Sequence, residues 1–296
     1  MKLLGSYING NYHTAIYADG TKIRETEDDE FIADFPENID VKITNQCDMG
    51  CPMCHEDSKP DGKHGDIMNA KFIDTLRPYT ELAIGGGNAL AHPDLLPFLK
   101  KLRDKHIIAN LTVNQTHFMQ NKEFLMTLTK QKLIYGLGVS LNKASREFID
   151  AIKCFDNAVI HVINGLITYG ELEILADNDL KMLILGYKEF RRGKEFKARN
   201  PYIEGNQIGL KESLKDLIPR FKVVSFDNLA IEQLDVKSLM TEEQWNEFYM
   251  GDDGNFTMYI DMVTETFAKN SIAALDKRYA LLDTIDDMFY IVKGER

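Results

Sequence analysis

Cysteine is scarce in this chain, four in 296 residues, beside a single tryptophan and eight prolines. A secreted disulfide scaffold is excluded, because such frameworks spread an even cysteine set along a short chain. No run of about 18 apolar residues occurs, so no membrane-spanning helix is expected. The N-terminal segment has no apolar stretch suited to a secretory leader, and a cytoplasmic location is the expectation. Positive charge is also in deficit: 35 Lys+Arg stand against 46 Asp+Glu, a formal net charge of −11. Nucleic-acid affinity rests on basic residues neutralising phosphate, so a broad nucleic-acid surface is not expected. A hydrophobic share of 44% and a charged share of 27% supply an ordinary globular core and exclude a disordered or collagen-like chain.

The first 25 residues alternate in polarity and are punctuated by Asn9-Gly10 and Asp19-Gly20. These dipeptides suit tight hairpin turns, so a three-stranded meander over 3–8, 12–18 and 21–25 is predicted. From Ile39, short apolar runs alternate with amphipathic segments. Strands are predicted at 41–44, 82–84, 107–113, 137–141, 159–163 and 182–185, with helices at 93–105, 121–132 and 144–154. This alternation favours a parallel sheet with crossover helices, an α/β chain curled into an incomplete six-stranded, (β/α)6 TIM-like barrel. Beyond Phe190 the pattern changes to a helix over 210–218, short strands near 222–226, 258–262 and 266–268, and a closing helix over 278–293. The expected division is an N-terminal β-meander (1–30), a core barrel (31–195) and a C-terminal α/β extension covering the barrel (196–296).

The four cysteines divide unevenly. Cys47, Cys51 and Cys54 form a CxxxCxxC cluster directly after the first core strand, and Cys154 stands alone. Gly50 and Pro52 let the backbone wrap so that three thiolates converge. Three thiolates can hold three irons of a four-iron, four-sulfur cluster, which four cysteines usually complete, leaving one iron open. A non-catalytic zinc-binding interaction module, with His55 as fourth ligand, is the other reading of this spacing.

The surroundings of the cluster resemble the radical S-adenosylmethionine (radical SAM) superfamily. Its CxxxCxxC signature follows the first strand, as Cys47, Cys51 and Cys54 do here. The residue before the last cysteine is commonly aromatic in that family; here it is Met53, whose thioether can fill the same space. A Gly-Gly-Glu-type turn after the second strand corresponds to Gly85, Gly86, Gly87 and Asn88. Asn114 ends the third strand, Ser140 and Asn142 the fourth, Gly165 follows the fifth, and Tyr187 and Lys188 end the sixth. The resemblance implies that the three cysteines bind a 4Fe-4S cluster and that these further residues bind S-adenosylmethionine. It also implies reductive cleavage to a 5′-deoxyadenosyl radical, hydrogen abstraction from a peptide or small-molecule substrate, and an electron donor such as flavodoxin or ferredoxin. A peptide is favoured because the meander offers a strand edge for pairing.

Five further expectations complete the reading. Cys154 is expected to be a small buried core residue, and His55 an exposed loop residue. Arg191 and Arg192, with Lys188, are expected either to neutralise a carboxylate or to be solvated. Asp227, Glu232, Gln233 and Asp261 would contact substrate if the tail closes the barrel mouth. No cysteine follows Cys154, so a second cluster held by cysteines is not expected.

Overall fold

The alternating polarity of the N-terminus forms the expected meander in this computed structural model, which describes residues 2–294. Strands β1 (Leu3–Asn9), β2 (Tyr12–Tyr17) and β3 (Lys22–Glu25) pair antiparallel in sequence order. The meander is tied to the main body by charge. Lys22 and Arg24 from β3 each lie 2.9 Å from the buried Glu37 carboxylate, and Lys22 also lies 2.7 Å from Glu81.

The main body alternates strands and helices: β4 (Asn38–Thr44), β5 (Glu81–Gly86), α1 (Leu95–Asp104), β6 (Ile108–Asn114), α2 (Gln115–Gln120) and α3 (Lys122–Lys130). It continues with β7 (Gly136–Ser140), α4 (Arg146–Ile152), β8 (Ala158–Ile163), α5 (Tyr169–Leu175) and β9 (Lys181–Leu185). The C-terminal part holds α6 (Arg192–Arg199), α7 (Tyr202–Leu217), β10 (Val223–Phe226), α8 (Asn228–Leu234) and α9 (Glu242–Phe248). Strands β11 (Thr257–Asp261), β12 (Thr266–Ala268) and β13 (Tyr279–Ala280) and helix α10 (Ile285–Val292) complete it.

One ten-stranded sheet runs in the order β10-β9-β8-β7-β6-β5-β4-β11-β12-β13. Strands β4 to β9 are parallel in sequence order, and β10 and β11 extend this parallel run at its two ends. The six expected strands are therefore the centre of a larger sheet. The segment expected to cover a barrel instead supplies strands to both sides of it. Among the described residues β10 and β13 stand at opposite edges, so no closed barrel forms.

Two helix boundaries also differ from expectation. The closing helix starts only at Ile285, because Tyr279–Ala280 pairs with β12 and the Thr284 hydroxyl accepts from the Asp287 amide to open the turn. Pro201, with its fixed φ, starts α7 well before the expected residue 210.

The two faces of the sheet differ in chemistry. Ile39, Val41 and Ile43 of β4, Leu82 and Ile84 of β5, and Ile160 and Val162 of β8 are buried in one hydrophobic core. That core includes Leu99 and Leu102 of α1, Phe148 and Ile152 of α4, and Leu210 and Leu214 of α7. Intervening positions are polar or small: Asp40 and Lys42, Ala83 and Gly85, Asn110 and Thr112, Gly136 and Gly138, His161. A sheet covered by helices on both faces would read as continuous apolar runs. This period-two polarity instead marks an inner face that borders open space.

Candidate functional site

Because β4 to β11 run parallel, their C-terminal ends share one rim. The cysteine loop leaves β4 at this rim and is held by backbone hydrogen bonds from Asn45 N to Lys63 O and from Cys47 N to Lys59 O, both 2.8 Å. Cys47, Cys51 and Cys54 are half-buried free thiols. Burial pushes the Cys47 and Cys51 thiols up, and the neighbouring thiols add to the effect. Among the described residues, no three His, Cys, Asp or Glu side chains gather as they would around a single ion.

Glu56 is the hub that fixes the end of this loop. Its side chain is buried, with Oε2 2.8 Å from Lys42 Nζ and 3.7 Å from Arg191 Nη1. Oε1 lies 3.3 Å from His55 Nε2 and accepts from the Tyr259 hydroxyl at 3.3 Å. Lys42 also lies 3.2 Å from Asp261 Oδ2, which is 3.5 Å from Arg278 Nη1. Burial alone would raise the Glu56 carboxyl, yet His55 and Lys42 hold it well below the usual carboxylate range. His55 is thus half-buried and engaged with Glu56, where an exposed loop residue or a zinc ligand was expected.

The basic pair after β9 faces carboxylates of the chain itself, Arg191 on Glu56 at 3.7 Å and Arg192 on Asp57 at 3.0 Å. Arg191 Nη1 donates to Glu56 O and Arg192 Nη2 to Ser58 O, both at 2.7 Å. Both arginines therefore clamp the backbone that follows the cysteines. On the other flank, buried His117 of α2 donates from Nε2 to Asp48 Oδ1 at 2.7 Å, gripping the residue after Cys47.

The glycine turn after β5 packs against the start of the cysteine loop. Gly87 N donates to Thr44 O at 2.8 Å and Asn88 N to Gln46 O at 2.6 Å. Gly86 has φ +118, and a Cβ there would fall 2.4 Å from Thr44 O. Gly85 is open, with only Thr112 Cβ at 3.9 Å from a Cβ placed on it. The Asn88 side chain accepts from Leu90 N.

The remaining expected ligand residues are placed unequally. Asn114 and Asn142 form a reciprocal amide pair, at 2.8 and 2.7 Å. Ser140 is half-exposed beside them on β7. Gly165 backs onto α7, where a Cβ would meet Ile203 Cγ2 at 2.7 Å. Tyr187 is buried, its hydroxyl donating to Gly193 O at 2.8 Å. Its backbone is clamped by Gln233, which accepts from Tyr187 N and donates to Tyr187 O. Lys188 donates to Ser271 Oγ at 3.0 Å and lines a cleft of about 50 Å³ with Met53, His55 and Leu185.

Of the late candidates, Asp227 caps α8 through Ala230 N and accepts from Gly186 N, and Asp261 is fully buried in the Glu56 network. Glu232 is exposed. Cys154 is exposed as well, against the expected burial: it lies past the end of α4, its thiol donating to Asp150 O at 3.5 Å.

Beneath the rim lies a cavity of about 740 Å³ along the inner face. Its walls include Asp40, Asn110, Thr112, His161 and Lys188, and the turn at Asp19–Gly20 borders it. Gly136 and Gly138 make room on β7. A Cβ on Gly138 would lie 2.4 Å from the His161 ring and 2.9 Å from Thr112 Oγ1. Burial pushes the His161 imidazole down to about 4, so it is neutral at neutral pH. Asp40 and His161 were not among the expected site residues. Polar residues at alternate positions of otherwise apolar strands were the signal for them.

A parallel sheet with a polar inner face, a cavity and a cysteine loop at the C-terminal rim defines an α/β fold of the kind that places function at that rim. No family model and no curated protein matches the chain. Solved structures of SuiB from Streptococcus suis share the fold. SuiB bound to the precursor peptide SuiA is 17% identical with a TM-score of 0.60, over 89% of this chain and 67% of that one. SuiB bound to S-adenosylmethionine is 14% identical with a TM-score of 0.60, over 90% and 69%. SuiB alone is 15% identical with a TM-score of 0.53, over 88% and 66%. The chain thus spans about two thirds of SuiB's length.

Proposed function

We propose that this chain is a radical SAM enzyme that acts on a peptide. The observation that carries the reading is the CxxxCxxC loop, which leaves β4 at the C-terminal rim of a parallel sheet whose inner face borders a cavity. The donor types suit a 4Fe-4S cluster: three half-buried free thiols on one loop are soft ligands, and His55, the candidate fourth donor, is engaged with Glu56. Cys47, Cys51 and Cys54 would hold the cluster. The open backbone at Gly85, the Ser140 hydroxyl and the Lys188 ammonium are the groups available to S-adenosylmethionine, with Gly86, Gly87, Asn88, Asn114, Asn142, Gly165 and Tyr187 shaping their surroundings. When bound, the cluster and S-adenosylmethionine supply one-electron cleavage of the sulfonium to a 5′-deoxyadenosyl radical.

The chain's own residues orient this chemistry and shield it. Arg191, Arg192 and His117 hold the cysteine loop from both sides. The Glu56 network locks the loop to β4 and β11. A peptide substrate is supported by SuiB, whose structure holds a precursor peptide on the same fold. A reductant of the flavodoxin or ferredoxin kind and a cytoplasmic location belong to this reading.

Anaerobic reconstitution tests it. About four irons per chain and dithionite-dependent release of 5′-deoxyadenosine are expected. Cys51→Ala should abolish both, and Cys154→Ala neither. Stoichiometric zinc with no uptake of iron would sink the proposal.

A further inference from the structure

The charged groups around the inner cavity each have a hydrogen-bond or ion-pair partner, with one exception. Glu81 is paired with Lys22 at 2.7 Å, and Lys181 donates to Asn157 Oδ1 at 3.1 Å. Asp227 Oδ1 is taken by two backbone amides, and Lys188 is bonded to Ser271. Asp40, at the middle of β4, projects into the same cavity with free surface. Among the described residues no hydrogen bond or ion pair reaches its carboxylate. Lys188 is its nearest cationic influence, while Asp253, Asp227 and Glu56 add negative potential. Enclosure among these groups pushes the carboxyl up to about 6, so it is ionised at neutral pH without a counter-ion.

The Asp40 carboxylate is exposed within the cavity and free to take a cationic partner. The path to Asp40 is apolar in part, bordered by Ala83, Val159, Leu183 and Leu185. Asp40 lies four positions before Thr44 at the rim, about 13 Å down the strand at roughly 3.3 Å per residue. That depth suits an aliphatic stem with a cationic tip, together with the backbone that carries it.

We propose that Asp40 is the recognition residue for a basic side chain, lysine or arginine, of a peptide substrate. The ammonium or guanidinium pairs with the carboxylate, and the stem lies along the apolar wall. Thr112 of β6, two strands over, supplies a hydroxyl to the same cavity, and the neutral His161 adds no positive charge to oppose the ligand. Naming this group as substrate rests on the reading of the rim as a radical SAM site; the binding itself requires neither cluster nor S-adenosylmethionine.

The test therefore uses the full chain without added cofactor. Calorimetry or ligand-observed NMR compares butylammonium, butylguanidinium, 1-butanol, butyrate and N-acetyl-lysine methylamide. The cations and the capped lysine should bind at least about tenfold more tightly than 1-butanol, a ratio set by one charge-assisted hydrogen bond. Butyrate should not bind. Asp40→Asn, which keeps the side-chain volume, should erase the preference, and Asp40→Glu should retain part of it. Equal affinity for 1-butanol and the cations, preference for butyrate, or no binding of any probe would overturn the proposal. So would an Asp40→Asn variant that still selects cations, or binding of butylammonium without the capped lysine. Iron uptake and 5′-deoxyadenosine release are measured separately, so either reading can fail while the other stands.

Discussion

Glu56→Gln is the most informative single change to the cysteine loop. The Glu56 side chain is 9% exposed, that of Lys42 3% and that of Asp261 0%. Removing one negative charge leaves Lys42, Arg191 and Arg278 facing Asp261 alone. Breaking a buried ion pair by removing one partner costs about 3–5 kcal/mol; glutamine preserves volume and one acceptor oxygen, so about 3 kcal/mol is expected. In a chain of this size that lowers Tm by about 6 °C. The dependence on pH carries a sign. His55 and Lys42 hold the Glu56 carboxyl below its ordinary value of 4.5, so its contribution is complete above that pH and lost as pH falls through the folded-state value. Urea unfolding of the wild type and of Glu56→Gln, followed by circular dichroism, should therefore diverge most at neutral pH and converge in acid. Adding Lys42→Met should recover part of the loss, since the two side chains are coupled. A loss under about 1 kcal/mol, or a gap unchanged in acid, would refute the view that this network holds the loop.

Three further outcomes are expected. His117→Ala removes the grip on Asp48, so the reconstituted protein should lose iron to a chelator faster than wild type, with a stability cost of about 1–2 kcal/mol. Gly86→Ala should destabilise by about 2 kcal/mol or more through its positive φ and the contact with Thr44 O, whereas Gly85→Ala, which meets only Thr112 Cβ at 3.9 Å, should be tolerated. Thermal unfolding compares the two. Asp40→Asn should stabilise the protein. The raised carboxyl opposes folding progressively as pH climbs from its ordinary 3.8 through about 6. The gain, about 1 kcal/mol after screening by cavity water, should be full above that range and absent below 3.8. A melt series across pH checks it.

The alternation of apolar strands and amphipathic helices made the central parallel sheet legible, because β4 to β9 bury their apolar positions against α1, α3, α4 and α5. Helix α2 was missed because Gln115–Gln120 is short and largely polar, started by the Asn114 cap rather than by an apolar stripe. Edge strand β10 was read as a strand, but a sequence carries no record of which edge it joins. The cysteine cluster stood out by spacing alone. Its supports did not: Glu56, Lys42 and Arg278 read as ordinary surface charges and Asp261 as a conditional substrate contact until the sheet brings them together. Asn114 and Asn142 were read as ligand groups because they end strands; the structure pairs them with each other. Cys154 was misplaced because α4 stops at Ile152, two residues before the apolar face would have carried the thiol inward.

The Glu56 network also imposes an order on biosynthesis. Lys42 and Glu56 are made before Tyr259, Asp261 and Arg278, which lie more than 200 residues further along the chain. Until β11 docks beside β4, Lys42 lacks one of its two carboxylates and the cysteine loop lacks one of its walls. The loop acquires its final surroundings only once β11 has docked, so the cysteine thiols are more exposed in a chain that has not yet folded through this strand.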